Sequence, residues 1–409
     1  MRNEKSLLQE KVNKLVSLYE KDFLKEALIE AKTLINQYSN VAIIHNISGI
    51  INLAIGSWNE AINNFKEAIK INPTYAEGHY NLGIALDNLN LLEDAVINYS
   101  KAIELKPNFV NAHESLIRIL TFYNPKQNIS NQYVKTNKLL QNINYNYDSN
   151  KKILDNDVIN FFNTFKKIIF ENINLLNYNE TEIFRSNTID LKCERHFKIF
   201  NTFNIIPEYC FGCFKVQIEL KNVIELIKLY FIFDKLILKN NNPRKCMIEL
   251  REKVSGSYKG FIYCSSLGEA NEIKNKLSNI LSKQIHNNVQ IKVKRGCSEF
   301  AVSYPKYKNI NESDEDSMKY NKKWKSKEKL IDDQLAKRNQ SKQRVLRNNL
   351  PGVTICDALI IRNWIIFAKI NGDLSYEKII KESPIPNDIV EGFNKLLIRR
   401  KKLLSSSPD

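Results

Sequence analysis

A fixed interval between a few small residues limits what the first third of this chain can become. Thirty-four residues separate His45 from His79, Gly49 from Gly83, Ala61 from Ala95, Ala68 from Ala102 and Pro73 from Pro107, and Phe65 and Tyr99 keep the same step. A period of this length demands a stack of like units, because one short helical pair cannot bury its apolar face alone. The residue types say how the stack closes. Gly49 and Gly83 let the first helix of each pair approach its neighbour, and Ala61 and Ala95 do the same for the second. Phe65 and Tyr99 fill the space between, and Pro73 and Pro107 stop the second helix.

Residues 42–75 and 76–109 therefore resemble the tetratricopeptide-repeat (TPR) family. Leu15, Leu18 and Ala27 fall in register for a degenerate repeat at 8–41, and His113, Leu116 and Leu120 place a capping helix at 110–122. Residues 1–122 thus read as an all-α TPR solenoid. The resemblance implies that the first helix of each pair lines a concave groove for a protein or peptide. It turns Asn46, Ile50, Leu53, Glu77, Tyr80, Ile84, Asp87 and Asn88 towards that partner. No cluster of Lys and Asn suits the clamping of a terminal carboxylate.

At 409 residues the chain has room for two or three domains. Its net charge of +16 is uneven: residues 1–122 hold 12 Lys/Arg against 14 Asp/Glu, and the rest hold 49 against 31. Such an excess attracts phosphate backbones, anionic membrane surfaces or acidic proteins, and it equally describes a lysine-rich solvated surface. No apolar run reaches the ~18 residues of a membrane span, and Met1-Arg2-Asn3-Glu4-Lys5 leads into a charged amphipathic helix. A cytoplasmic protein is expected. Seven cysteines, an odd number, then point to reduced thiols or metal ligands.

Residues 123–154 read as a linker or loose helices. Residues 155–177 read as an amphipathic helix through Ile159, Phe161, Phe162, Phe165, Ile168, Ile169 and Ile173. Next come a strand at 213–219, a helix at 221–238, strands at 245–251 and 259–265, a helix at 267–285 and a strand at 289–304. Alternation supports the strands through Phe214, Val216 and Ile218, and through Ile291 and Val293. The order βαββαβ predicts a ferredoxin-like sandwich. The expected class is α+β multidomain: the solenoid, a cysteine-rich α+β domain at 155–304, a charged loop and exposed helix at 305–350, and C-terminal helices at 351–409. Trp364, Ile366, Phe367 and Ile370 would pack those helices onto the α+β domain.

Lys259-Gly260-Phe261-Ile262-Tyr263 resembles the central-strand motif of RNA-recognition modules. That likeness implies an RNA-binding alternative through Lys215, Arg251, Phe261, Tyr263, Lys292 and Lys294. It departs from the motif at Ile262, where a small residue is usual, and at Lys215 and Gln217, where an aromatic is wanted. Phe261 and Tyr263 equally suit packing under neighbouring helices.

The cysteines support two metal sites. Cys193, His196, Cys210 and Cys213 form C-x2-H-x13-C-x2-C, which supplies the three thiolates and one imidazole of a tetrahedral zinc site. The sandwich topology instead gathers Cys213, Cys246, Cys264 and Cys297 at one end of the sheet, where an iron–sulfur cluster is the rival. Apolar packing accounts for the same residues, and the cations of Lys294-Arg295-Gly296-Cys297 keep a reactive thiol open. No phosphate loop, dinucleotide fingerprint, nucleophile elbow or HExxH is present. Catalysis has no recognisable motif, and a metal- or thiol-dependent enzyme centred on Cys210, Cys213, Cys264 and Cys297 is the alternative to a scaffold. His45, His79 and His113 fall at one repeat position and call for packing; His196 and His286 remain for chemistry.

Overall fold

The computed structural model describes residues 2–143, 145, 148, 150–172, 178–251, 254–310, 317–339, 347–380 and 390–395. It divides into two compact units, residues 1–135 with 333–345 and residues 136–332 with 346–409.

The first unit is a run of antiparallel helices: α1 (Arg2–Glu20), α2 (Leu24–Gln37), α3 (Ala42–Ile55), α4 (Trp58–Ile71), α5 (Ala76–Asn88), α6 (Leu92–Leu105) and α7 (Val110–Leu120). Each packs on the next. The glycines stand where helices cross: a Cβ on Gly49 would lie 2.4 Å from Phe65 Cε1, and one on Gly83 would lie 2.6 Å from Tyr99 Cε1. Ala61, Phe65, Ala68, Ala95, Tyr99 and Ala102 are wholly buried. The repeated histidines do more than pack. Each imidazole Nε2 meets a carbonyl six residues back in the preceding loop: His45 with Ser39 at 2.8 Å, His79 with Pro73 at 3.3 Å and His113 with Pro107 at 2.8 Å.

The chain continues through α8 (Gln132–Gln141), α9 (Asp155–Asn172), β1 (Glu182–Arg185), α10 (Cys193–Phe203), α11 (Glu208–Phe211), β2 (Phe214–Leu220), α12 (Val223–Lys235), β3 (Arg244–Ile248) and β4 (Tyr258–Cys264). It ends with α13 (Leu267–Gln284), β5 (Gln290–Arg295), α14 (Ser298–Ser303), α15 (Lys325–Asn339) and α16 (Ile355–Asn371). The five strands lie in the order β1-β3-β4-β2-β5, with every neighbour antiparallel.

Side-chain parity gives this sheet two different faces. Phe214, Val216 and Ile218 of β2 and Gly260, Ile262 and Cys264 of β4 turn to α12 and α13. Gly260 is obligatory there, because a Cβ would lie 2.3 Å from Leu229 Cδ2 of α12. With the sheet on one side and α9 and α16 on the other, α12 is buried almost all round. The opposite face carries Lys215, Gln217, Lys245, Met247, Lys259, Phe261, Tyr263, Lys292 and Lys294.

The edge strand and the helices are joined by a buried ion cluster. Arg185 of β1 donates to Asp234 at the end of α12 (2.6 Å) and to both oxygens of Asp357 in the first turn of α16 (3.2 and 3.1 Å). Asp357 also forms a capping box with Thr354, which sets the start of α16.

Three expectations change or sharpen. The strand expected to run to residue 304 ends at Arg295, because Gly296 takes a left-handed φ of +51° and its N–H turns to the carbonyl of Cys213 at 2.7 Å; α14 follows. Residues 132–141 of the expected linker are helical, as α8. β1 adds an edge strand that was not anticipated. Residues 173–177 of the expected amphipathic helix, 311–316 and 340–346 of the expected charged segment, and 381–389 and 396–409 of the expected C-terminal helices lie outside the described residues. Among the described residues, no helix is long and apolar enough to cross a membrane.

Candidate functional site

Among the described residues, each unit presents a candidate place for a partner or ligand. In the first it is the surface of α3 and α5. Ile50, Leu53, Tyr80 and Ile84 are half-buried there, and Tyr80 is held by ring contacts with Tyr99 (5.8 Å between centroids) and Phe109 (4.8 Å). Around them the polar groups already have partners. Asn46 accepts from the Asn81 amide at 2.9 Å, and Asp87 is paired with Arg118 at 2.5 Å. Glu77 is paired with Lys106 at 2.7 Å, which holds its carboxyl below the usual range. Exposed Asn88 turns its amide back to the Ile84 carbonyl at 2.8 Å. The result is an apolar strip between neutralised polar side chains, suited to a segment that brings its own apolar anchors.

In the second unit a cavity of about 330 Å³ opens on the sheet face away from α12 and α13. Lys215, Lys245, Phe261, Tyr263 and Lys294 of the sheet line it, with Arg251 following β3, Cys193 and Phe197 of α10, and Cys297, Ser298 and Glu299 after β5. Five of the six residues named for nucleic-acid contact therefore meet in one cavity. The sixth, Lys292, is exposed on the same face and paired with Glu219 at 2.7 Å. Phe261 faces this cavity and not the helices, yet it is only 3% exposed, with the ammonium groups of Lys294 and Lys245 at 5.3 and 5.8 Å from its ring centroid. Lys215 stands 5.0 Å from the centroid of Tyr263.

The structure regroups the cysteines. Cys193, Cys213 and Cys297 neighbour Cys210, and burial followed by their charges raises Cys210 well above the ordinary thiol range; burial, opposed by Lys215 and reinforced by Cys297 and Cys193, raises Cys213 to about 11. His196 is stacked on Tyr209 at 5.1 Å, and burial followed by the Arg195 charge lowers it to about 4. Cys246 and Cys264 lie on the helix-covered face, the first beside Arg185 and Arg244 and the second beside Glu269. Neither sequence-derived quartet comes together whole. All seven cysteines are free, and among the described residues no group of three or more His, Cys, Asp or Glu is placed to hold a metal ion.

Lys245, Glu182 and Ser298 were missed by sequence reasoning. Lys245 had a signal in its alternation with Met247. Glu182 had none, because a strand of four residues shows too little periodicity.

The repeat geometry of the first unit defines a helical-repeat protein module. Residues 51–90 match the TPR repeat family and residues 76–109 the tetratricopeptide repeat family, so residues 51–109 are tetratricopeptide repeats. Similar solved structures include the crystal structure of MamA, with 24% identity over 27% of this chain and a TM-score of 0.27. This chain covers 66% of that one, a little under two thirds of its length. The first TPR of Spaghetti (RPAP3) bound to HSP90 peptide SRMEEVD shows 19% identity over 27% of this chain and 89% of that one, with a TM-score of 0.27. The Arabidopsis OM64 TPR domain shows 16% identity over 28% and 94%, also at 0.27. No curated protein matches the chain.

Proposed function

We propose that the protein is a scaffold: the repeat groove holds an extended or helical segment of a partner protein, and the basic, cysteine-rich second unit adds a binding function of its own. One observation carries the first half. Inside a register tight enough to bury Phe65 and Tyr99 completely, Ile50, Leu53, Tyr80 and Ile84 are left half-covered. The sandwich reading of the second unit is supported by the strand order β3-β4-β2-β5, the order expected of a ferredoxin-like arrangement, beside which β1 is an additional edge strand. Seven free thiols suit a reducing, cytoplasmic setting.

Site-specific photo-crosslinking tests the groove. A crosslinker at Tyr80 or Ile84 is expected to trap one protein species that the same group at exposed Lys70, on the far side of the helical pair, does not trap. A synthetic segment of the trapped species should then bind the full chain, and Tyr80→Ala combined with Ile84→Ser should abolish that binding. Equal trapping from Lys70 sinks the groove; a second copy of this chain as the trapped species makes it a self-association surface.

A soft cation is the second reading, favoured by four neighbouring thiols. Cys193, Cys210, Cys213 and Cys297, and not His196, would hold it, after drawing closer than they stand. Elemental analysis giving about one zinc per chain, or a coloured protein containing iron, supports it. Metal-free protein with all four thiols open to alkylation after unfolding ends it.

A further inference from the structure

Charge in the sheet-face cavity does not balance. Each of its carboxylates is already met by a cation: Glu182 by Lys245 at 2.7 Å, Glu249 by Arg251 at 2.7 Å and by Lys259 at 3.2 Å, and Glu299 by Arg251 at 2.7 Å. Two ammonium groups are left over. Lys215 and Lys294 are directly opposite each other on β2 and β5, and like charges in that relation repel. Lys215 is 7% exposed and donates to Cys297 Sγ at 3.3 Å; Lys294 donates to Ser298 Oγ at 2.8 Å. Among the described residues, no carboxylate lies within ion-pair distance of either.

Burying an ammonium without an anion costs several kcal/mol; the neighbouring Cys297 and Tyr263 offset burial for Lys215 and hold it in its charged form, whereas Lys294 has the Ser298 hydroxyl, which returns little. Burial, and then the facing Lys215, lowers Lys294 to about 7. In the protein alone Lys294 relieves this by giving up its proton more readily; a ligand that supplies two negative charges at one point would instead hold both lysines charged. A carboxylate supplies one. A phosphomonoester supplies close to two at neutral pH, with three acceptor oxygens for Lys215, Lys294 and Ser298. The remaining wall, Phe197, Met247, Phe261 and Tyr263, is apolar or aromatic, and about 330 Å³ is far more than one inorganic ion fills.

We propose that this cavity binds a small organic phosphomonoester, its phosphate between Lys215 and Lys294 and its body against Phe197, Met247, Phe261 and Tyr263. This gives a ligand class to the second binding function proposed above and is independent of the groove. A nucleic-acid strand fits less well: a phosphodiester carries one charge, and Phe261 is covered by lysine side chains where base stacking needs an open ring.

Calorimetry and thermal denaturation of the full chain test it with phenyl phosphate, adenosine 5′-monophosphate, inorganic phosphate, adenosine and a ten-nucleotide single-stranded RNA. At least one of the two phosphomonoesters is expected to bind saturably and raise Tm, at least tenfold more tightly than inorganic phosphate, while adenosine has no effect. Lys215→Met and Lys294→Gln should each weaken binding tenfold or more. Lys294 is the less buried of the two, so its variant decides the matter should Lys215→Met fail to fold. Saturable binding of neither phosphomonoester, or unchanged affinity in Lys294→Gln, overturns the proposal. So does RNA that displaces the phosphomonoester and binds more tightly than it does, which would assign the face to nucleic acid.

Discussion

His196 shows what a side chain's surroundings do to its chemistry. Its ring is 4% exposed, stacks on Tyr209 and is lowered from 6.5 to about 4 by burial and then by the Arg195 charge. In the unfolded chain this imidazole gains a proton below pH 6.5, whereas in the folded chain it stays neutral down to about pH 4. Between those values the unfolded state binds more protons, so folding stability falls as pH falls. The loss approaches about 3 kcal/mol, since each pH unit of displacement is worth about 1.4 kcal/mol. His196→Phe keeps a ring on Tyr209 and removes the titration, so its Tm should fall less steeply between pH 6.5 and pH 4. A parallel profile in thermal melts would show that the acid sensitivity lies elsewhere. The same residue marks a limit of reading by spacing. C-x2-H-x13-C-x2-C describes which ligands lie near in sequence, but it does not show that the His196 ring is taken up by stacking on Tyr209. For the repeated histidines the period marked a shared structural position, while their bonds to loop carbonyls six residues back emerged only with the structure.

At the scale of elements, close approach decides more than propensity. Gly83 sits inside α5, where alanine would ordinarily stabilise a helix by about 1 kcal/mol. Here the added Cβ would lie 2.6 Å from Tyr99 Cε1 of α6, a side chain with no exposed surface to retreat into. Overpacking of this kind costs about 1–3 kcal/mol, so Gly83→Ala should lower stability in denaturant unfolding. Adding Tyr99→Leu, which vacates the contact, should make the same alanine nearly neutral or favourable. An alanine equally costly in both backgrounds would remove the close-approach argument. That contact was legible beforehand because glycine and aromatic stand sixteen residues apart inside one repeat. The end of β5 was not legible, because the turn comes from Gly296 bonding to Cys213, more than eighty residues earlier. β1 was hidden for a related reason, its place being set by pairing with β3 and by Arg185 reaching Asp234 and Asp357.

For the whole molecule, the distribution of charge separates two kinds of recognition. The repeat region is near neutral, and its groove presents Ile50, Leu53, Tyr80 and Ile84 among polar groups that are already paired. The second unit carries the excess of cations and concentrates two unneutralised ones in a cavity. The individual lysines could be placed on one face from strand alternation, but their imbalance could not. It depends on the register that sets Lys215 opposite Lys294 and on the partners that claim Glu182, Glu249 and Glu299. Apolar contacts are weakly affected by salt, whereas attraction between ammonium groups and a dianion is screened as ionic strength rises. Raising salt from about 50 to 300 mM should therefore leave partner binding in the groove within about threefold while weakening phosphomonoester binding clearly more. The two functions should also separate by substitution. Tyr80→Ala with Ile84→Ser is expected to lose the crosslinked partner and keep the phosphomonoester-induced rise in Tm, and Lys294→Gln is expected to do the reverse. Should either variant lose both, with its circular dichroism unchanged, partner and phosphomonoester would be drawing on a single site, and the division of labour argued from charge would be wrong.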